Sequence, residues 1–186
     1  MKYLVFSDIH GSEFYAKKIQ ELVNKECPNN VILLGDLYYH GPRNPLTLGH
    51  NPMKVCEIFN EMKDKVLCVK GNCDAEVDEM ISEFKMTQNL ELKIGNKNFF
   101  FTHGHKFNID NEPNTDFDVM VYGHFHTGFI KEKGNKIFVN AGSISLPKND
   151  TPNSFLIITD DEIILKDVAE NIIDKIKFNM RWKKWI

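Results

Sequence analysis

Short, wholly apolar runs alternate with longer amphipathic stretches through the first half of the chain. Residues 2–6 form an apolar, β-rich run that stops at the polar loop Ser7-Asp8-Ile9-His10-Gly11. Residues 12–25 follow, with Phe14, Ile19, Leu22 and Val23 on one face and charges opposite, the 3.6-residue period of a helix. Val31-Ile32-Leu33-Leu34 is apolar throughout, as in a strand buried on both faces, and it stops at Gly35-Asp36. A loop rich in Gly, Pro and Asn runs from about 35 to 52. Residues 53–63 repeat the helical pattern with Val55, Ile58, Phe59 and Met62. Val66-Leu67-Cys68-Val69 is a third apolar strand, ending at Gly71-Asn72-Cys73-Asp74. The order β-α-β-α-β predicts a parallel sheet covered by helices.

The pattern changes in the second half. Residues 87–94 and 97–102 are strand-like runs around the turn signal Gly95-Asn96. Val119-Met120-Val121-Tyr122 is another buried strand. Residues 128–133 and 136–140 flank Gly134-Asn135, and residues 154–159 and 162–168 flank Asp160-Asp161, so two further hairpins are expected. This half reads as mostly antiparallel, and two sheets are predicted. From about 169 to 186, Ile172, Ile173, Ile176, Met180 and Trp185 fall at near-helical spacing and predict a C-terminal helical extension docked on the body or on another subunit. With no Pro/Ser-rich linker and no repeat, residues 1–186 read as a single domain.

Composition narrows the partners. Net charge is -3, and the only basic cluster, Lys177, Arg181, Lys183 and Lys184, lies at the end, which argues against long nucleic acid. No apolar stretch approaches the ~18 residues of a membrane helix, and the opening run is too short for a signal peptide. Cysteines 27, 56, 68 and 73 form no CxxC pair and are read as reduced thiols of a cytoplasmic protein.

The chemistry gathers where the strands end. Ser7-Asp8-Ile9-His10-Gly11, Gly35-Asp36, Gly71-Asn72-Cys73-Asp74, Thr102-His103-Gly104-His105 and Tyr122-Gly123-His124-Phe125-His126 are all tight, glycine-containing loops after an apolar run. Loops at the carboxyl ends of strands converge in an open α/β sheet. The seven histidines (10, 40, 50, 103, 105, 124 and 126) are absent from the last 60 residues, and all but one touch a glycine. Carboxylates (Asp8, Asp36), imidazoles (His10, His103, His124, His126) and an amide oxygen (Asn72) suit Mn, Fe, Zn, Ni or Co better than Mg alone. Seven ligands exceed one tetrahedral site. A bridging carboxylate would serve two metals about 3.5–4 Å apart, the arrangement for in-line displacement at phosphorus.

The order DxH, GD, GNxD, HGH, GHxH resembles the calcineurin-like metallophosphoesterases. Tyr39-His40-Gly41-Pro42-Arg43-Asn44, Gly71-Asn72-Cys73-Asp74 and Asn140-Ala141-Gly142-Ser143 resemble the small YfcE-type phosphodiesterase branch of that family. The resemblance covers residues 1 to about 165. It implies a four-layer α/β/β/α sandwich with two mixed sheets. It also implies that Asp8, His10, Asp36 and His126 hold one metal and that Asp36, Asn72, His103 and His124 hold the other, with Mn the first expectation. A hydroxide bridging such metals would attack the phosphorus of a small phosphodiester.

Larger members of the family carry a histidine where Cys73 stands. A neutral thiol is a poorer positive partner than imidazolium, so diesters are expected over monoester dianions, with a small packed residue as the alternative for Cys73. Asp36, Asn72, Cys73 and His105 form the expected catalytic set, His105 either orienting a ligand or touching substrate. His40 and Arg43 are the substrate-binding expectations; Arg43 either clamps a phosphate oxygen or serves its loop. Asp74 is expected to brace its loop, and Asn140 and Ser143 to pack beneath the site. A homo-oligomer is the protein partner the resemblance implies. The alternatives are a non-catalytic metal-binding scaffold of the same fold and a small nuclease or phosphomonoesterase. A scaffold would show substitutions among the seven ligands, and none is present.

Overall fold

The computed structural model describes residues 1–178 and consists of two mixed sheets packed face to face, with helices on one outer side. The first sheet has seven strands. In spatial order they are β12 (Ile172–Lys177), β11 (Glu162–Asp167), β10 (Ser154–Thr159), β1 (Lys2–Phe6), β2 (Asn30–Leu33), β3 (Val66–Val69) and β4 (Met86–Thr87). The second sheet has five, in the order β5 (Asn89–Ile94), β6 (Lys97–Thr102), β7 (Val119–Tyr122), β9 (Lys136–Asn140) and β8 (Phe129–Lys133).

The apolar runs are apolar throughout because both faces of these strands are covered. Along β1, Leu4 and Phe6 face the layer with α1 (Glu13–Glu26) and α2 (Pro52–Glu61), while Tyr3 and Val5 face the second sheet. β2 divides in the same way, with Val31 and Leu33 toward the helices and Ile32 between the sheets. In the second sheet Phe99, Phe101, Val119, Val121 and Val139 fill the interface. Phe100, Met120, Tyr122 and Phe138 point to the opposite face, where Phe107 and Ile109 of the irregular segment 103–118 cover them. α1 starts on Ser12, whose hydroxyl accepts from the Tyr15 N–H, and buries Ile19, Leu22 and Val23.

Several expectations need correction. Phe14, placed on the apolar face of α1, is exposed beside Tyr15. The strand expected over 87–94 is split at Gln88: β4 pairs with β3 in the first sheet, and β5 begins the second. The second half is less antiparallel than its hairpins suggest, since β6, β7 and β9 run parallel. The apolar, doubly covered run of β7 is the local sign of this. The helix α3 (Glu76–Ile81) was not anticipated.

The C-terminal helix expected from about 169 is also corrected over its described part. Residues 172–177 form the edge strand β12, with Ile176 opposite Ile163 and a bulge between Leu165 and Lys166. The isoleucines at 172, 173 and 176 fit a helical face by spacing. Their branched side chains favour the strand, and the open edge of β11 accepts it. Met180 and Trp185 lie outside the described residues. Among the described residues, no helix is long and apolar enough to cross a membrane.

Candidate metal centre

The carboxyl ends of β1, β2, β3, β6 and β7 lie side by side across the two sheets, and the loops leaving them meet in one cleft. Asp8, on the loop after β1, is fully buried. Its Oδ2 accepts from the Ser7 hydroxyl at 2.7 Å and from the His124 N–H at 2.8 Å. Its Oδ1 has no hydrogen-bond partner. Asp36, after β2, is divided likewise: Oδ1 accepts from the Cys73 N–H at 2.8 Å, and Oδ2 lies 3.4 Å from His103 Nε2 and 3.8 Å from His10 Nε2. Each carboxylate thus has one oxygen fixed by the chain and the other turned toward the histidine Nε2 atoms.

The histidines are divided in the same manner. Nδ1 of His10 donates to the Tyr39 carbonyl at 2.7 Å, that of His103 to Leu34 at 2.7 Å and that of His126 to Leu146 at 2.6 Å. With Nδ1 carrying the proton, Nε2 presents a lone pair, which is how metal-binding histidines are oriented. Two of these lone pairs face each other, His10 Nε2 and His126 Nε2 being 3.3 Å apart. Donor atoms of Asp8, His10 and His126 lie within 4.8 Å of one another, as do those of Asp8, Asp36 and His103. A shared cation resolves this crowding of lone pairs and satisfies the stranded Asp8 oxygen. The residues therefore fit a metal.

The other two expected ligands are close by. Asn72 Oδ1 is 3.1 Å from His103 Nε2, and the His124 ring lies 5.1 Å from that of His103, centroid to centroid. His124 and Asn72 line the cleft. Backbone strain marks the same residues. Asp8, His10, Asp36, His124 and His126 all have φ between 50° and 66°, a left-handed conformation uncommon for residues with a Cβ. The glycines beside them permit close approach. A Cβ on Gly71 would sit 2.1 Å from Asp36 Oδ1, and one on Gly123 would sit 1.8 Å from the Ser7 hydroxyl.

Electrostatics follow from burying two carboxylates together. Burial raises the Asp8 carboxyl, but the neighbouring imidazoles of His10, His126 and His103 hold it well below the usual range. Burial lowers His103, yet Asp36 and Asp8 outweigh it and push the imidazole up to about 9. Burial, then His103, drives His124 down to about 4. In the chain alone, a proton on His103 supplies the positive charge that a cation would supply.

The supports are polar and buried. Asp74 accepts from the N–H groups of Asp36, Leu37 and Gly71, so it braces two loops at once. Ser143 Oγ donates to the Asp8 carbonyl and Asn140 Nδ2 to the Gly123 carbonyl, both beneath the cleft. Arg43 and Cys73 line the cleft, which has a volume of about 480 Å³. His40 and His105 are not among its lining residues. His40 stacks edge-on against Tyr39 and His50, and His105 sits beside His103 with ring centroids 5.4 Å apart. Burial and then His103 lower the His105 imidazole.

Sequence reasoning gave no site role to five wall residues, Tyr39, Gly41, Pro42, Asn44 and Lys148. Tyr39 adjoins the singled-out Arg43 loop. Lys148 carries no motif and is brought in by its backbone N–H, which donates to the His126 carbonyl.

Comparison with known proteins points to one family. The family model of the calcineurin-like phosphoesterase superfamily domain matches residues 1–162. The phosphodiesterase YfcE of Escherichia coli (strain K12) is 39% identical over 173 residues, covering 92% of this chain and 93% of its own. The solved structure of Yfce, described as a phosphoesterase from E. coli, superposes with a TM-score of 0.93 at 36% identity, over 96% of this chain and 100% of that one. The probable metallophosphoesterase YsnB of Bacillus subtilis (strain 168) is 27% identical over 167 residues, 86% of this chain and 84% of its own. The chain belongs to the calcineurin-like phosphoesterase superfamily.

Proposed function

We propose that the chain hydrolyses small phosphodiesters at a centre of two divalent transition-metal ions, Mn the first expectation. Asp8, His10, Asp36 and His126 serve one ion, and Asp36, Asn72, His103 and His124 the other. The observation that carries this reading is the shared division of labour at the cleft. Each of the three hydrogen-bonded imidazoles gives Nδ1 to a carbonyl, each carboxylate gives one oxygen to the chain, and the remaining atoms converge. Metal ions held there would supply Lewis acidity and lower the pKa of water toward neutrality.

The chain's own groups do the rest. Arg43 and Lys148 place two cationic side chains on the wall and draw the phosphate in. Asp36, with Oδ1 fixed, is the carboxylate placed for sharing. Asn72 offers an amide oxygen. His105 acts as a positioning residue behind His103 and His124. Cys73 remains a thiol at neutral pH, because burial and then Asp36 push it up to about 12. It therefore brings no positive charge to the substrate. A monoester dianion feels that deficit more than a diester monoanion, so diesters are the better substrates. The phosphodiesterase name of the E. coli relative supports the same class. All four cysteines are free, which supports a reducing, cytoplasmic location.

Cys73→His tests the substrate preference. The expected outcome is a rise of about tenfold or more in monoester turnover relative to diester turnover, measured with p-nitrophenyl phosphate and bis-p-nitrophenyl phosphate. An unchanged ratio removes Cys73 from the account.

A further inference from the structure

A second cavity of about 330 Å³ opens beside the metal cleft and shares two wall residues with it, Tyr39 and Cys73. Its other walls are Tyr38, His50, Pro52, Ala75, Val77 and Asp78. The two spaces differ in chemistry. The metal cleft has Arg43 and Lys148 on its wall, whereas the second cavity has neither lysine nor arginine. Its one charged residue, Asp78, is buried, and its Oδ2 is engaged by the Ala75 N–H. A second phosphate or a carboxylate would enter without a counter-charge and beside a carboxylate, which is unfavourable.

The walls suit a flat, uncharged group instead. Tyr39 is 46% exposed and Val77 58% exposed, so apolar surface is already open to a ligand here. Tyr38, Tyr39 and His50 give the cavity aromatic walls, and His40 packs edge-on against both Tyr39 and His50. Tyr38 is fixed by the hydrogen bond between its hydroxyl and Ser82, so the floor is rigid. Aromatic faces bind planar rings by offset or edge contact. The volume falls at the small end of ligand cavities. A phosphodiester held at the metals has two arms, and Tyr39 and Cys73, which line both spaces, mark the boundary that one arm would cross.

We propose that this cavity receives one ester arm of the substrate and that the arm is a planar, uncharged aromatic or heteroaromatic group. The proposal rests on the phosphodiesterase reading and narrows it. The substrates preferred are then diesters with at least one aryl or nucleobase-bearing arm. Cys73 stands at the junction between the charged and the apolar space.

Calorimetric binding to the Mn-loaded protein tests the proposal without turnover. The probes are inorganic phosphate, methyl phosphate and phenyl phosphate. Phenyl phosphate is expected to bind about tenfold more tightly than methyl phosphate, the gain from burying one ring face. Val77→Gln, a change at an exposed helix position that lines only the second cavity, is expected to remove most of that ratio while inorganic phosphate binds as before. Equal affinity for phenyl and methyl phosphate, with phosphate itself bound, overturns the cavity proposal and leaves the metal centre intact. Failure to bind inorganic phosphate at all overturns the phosphodiesterase reading, and this proposal with it. Equal affinities together with a Val77→Gln shift to smaller species in sedimentation would assign the apolar face to a second copy of the chain.

Discussion

Asp8 states the chemistry of the centre in one side chain. It is fully buried, one oxygen is held by Ser7 and the His124 N–H, and the other meets no donor. A buried carboxylate left half-satisfied is costly unless a cation completes it. Asp8→Asn and Asp36→Asn are therefore expected to lower bound metal, measured by elemental analysis, and to cut diester turnover by about a thousandfold or more. Normal metal content in either variant would contradict the assignment. The protonation of His103 gives a second prediction. Its pKa is raised to about 9 in the chain without metal. A raised histidine contributes stability that is full below its unfolded value near 6.5 and is lost as pH rises through about 9. The metal-stripped protein should therefore melt at a lower temperature at pH 9.5 than at pH 7. For the same reason, metal binding near pH 7.5 should release a proton, seen as a dependence of the calorimetric heat on buffer ionisation enthalpy. Release of no proton would place the charge elsewhere. The gathering of these candidate ligands in one cleft was legible because each lies in a glycine-containing loop that follows an apolar strand. Their left-handed backbone was not, since nothing in Asp8 or His126 as letters signals φ above 50°. Lys148 was illegible for a similar reason: its place comes from a backbone hydrogen bond to His126.

Elements were legible in proportion to how locally their stability is decided. β1, β2, β3 and β7 are runs buried on both faces, and an uninterrupted apolar run admits few other readings. Hairpins at Gly95 and Gly134 need a residue tolerant of positive φ, and both glycines adopt it. β12 is decided by its neighbour. Its isoleucines fit a helix face by spacing, and only the open edge of β11 selects the strand. α3 is short and acidic in its first turn, with no apolar period to announce it. The register of β12 predicts a measurable cost. Phe178, just past its end, is buried edge-on against Phe99 between the sheets. Phe178→Ala should destabilise the protein by about 3 kcal/mol, lowering the melting temperature by roughly 6 °C or more. A change within experimental error would mean that this end does not pack as described.

At the scale of the whole molecule, two parallel-stranded segments from distant parts of the chain face each other and deliver their loop ends to one cleft. Residues 8 and 126 meet there because β1 and β7 end at the same height in opposing sheets, not because they are near in sequence. The fold accounts for how the candidate ligands converge, and Arg43 and Lys148 on the cleft wall suit an anionic substrate. The most direct test of the two-metal phosphodiesterase reading is a paired assay. The protein is stripped of metal and reloaded with Mn²⁺. Hydrolysis of bis-p-nitrophenyl phosphate is then compared with that of p-nitrophenyl phosphate. The expected result is metal-dependent cleavage of the diester at two ions per chain, with little cleavage of the monoester. Cleavage of neither ester with two ions bound would contradict the account and favour a non-catalytic scaffold of the same fold.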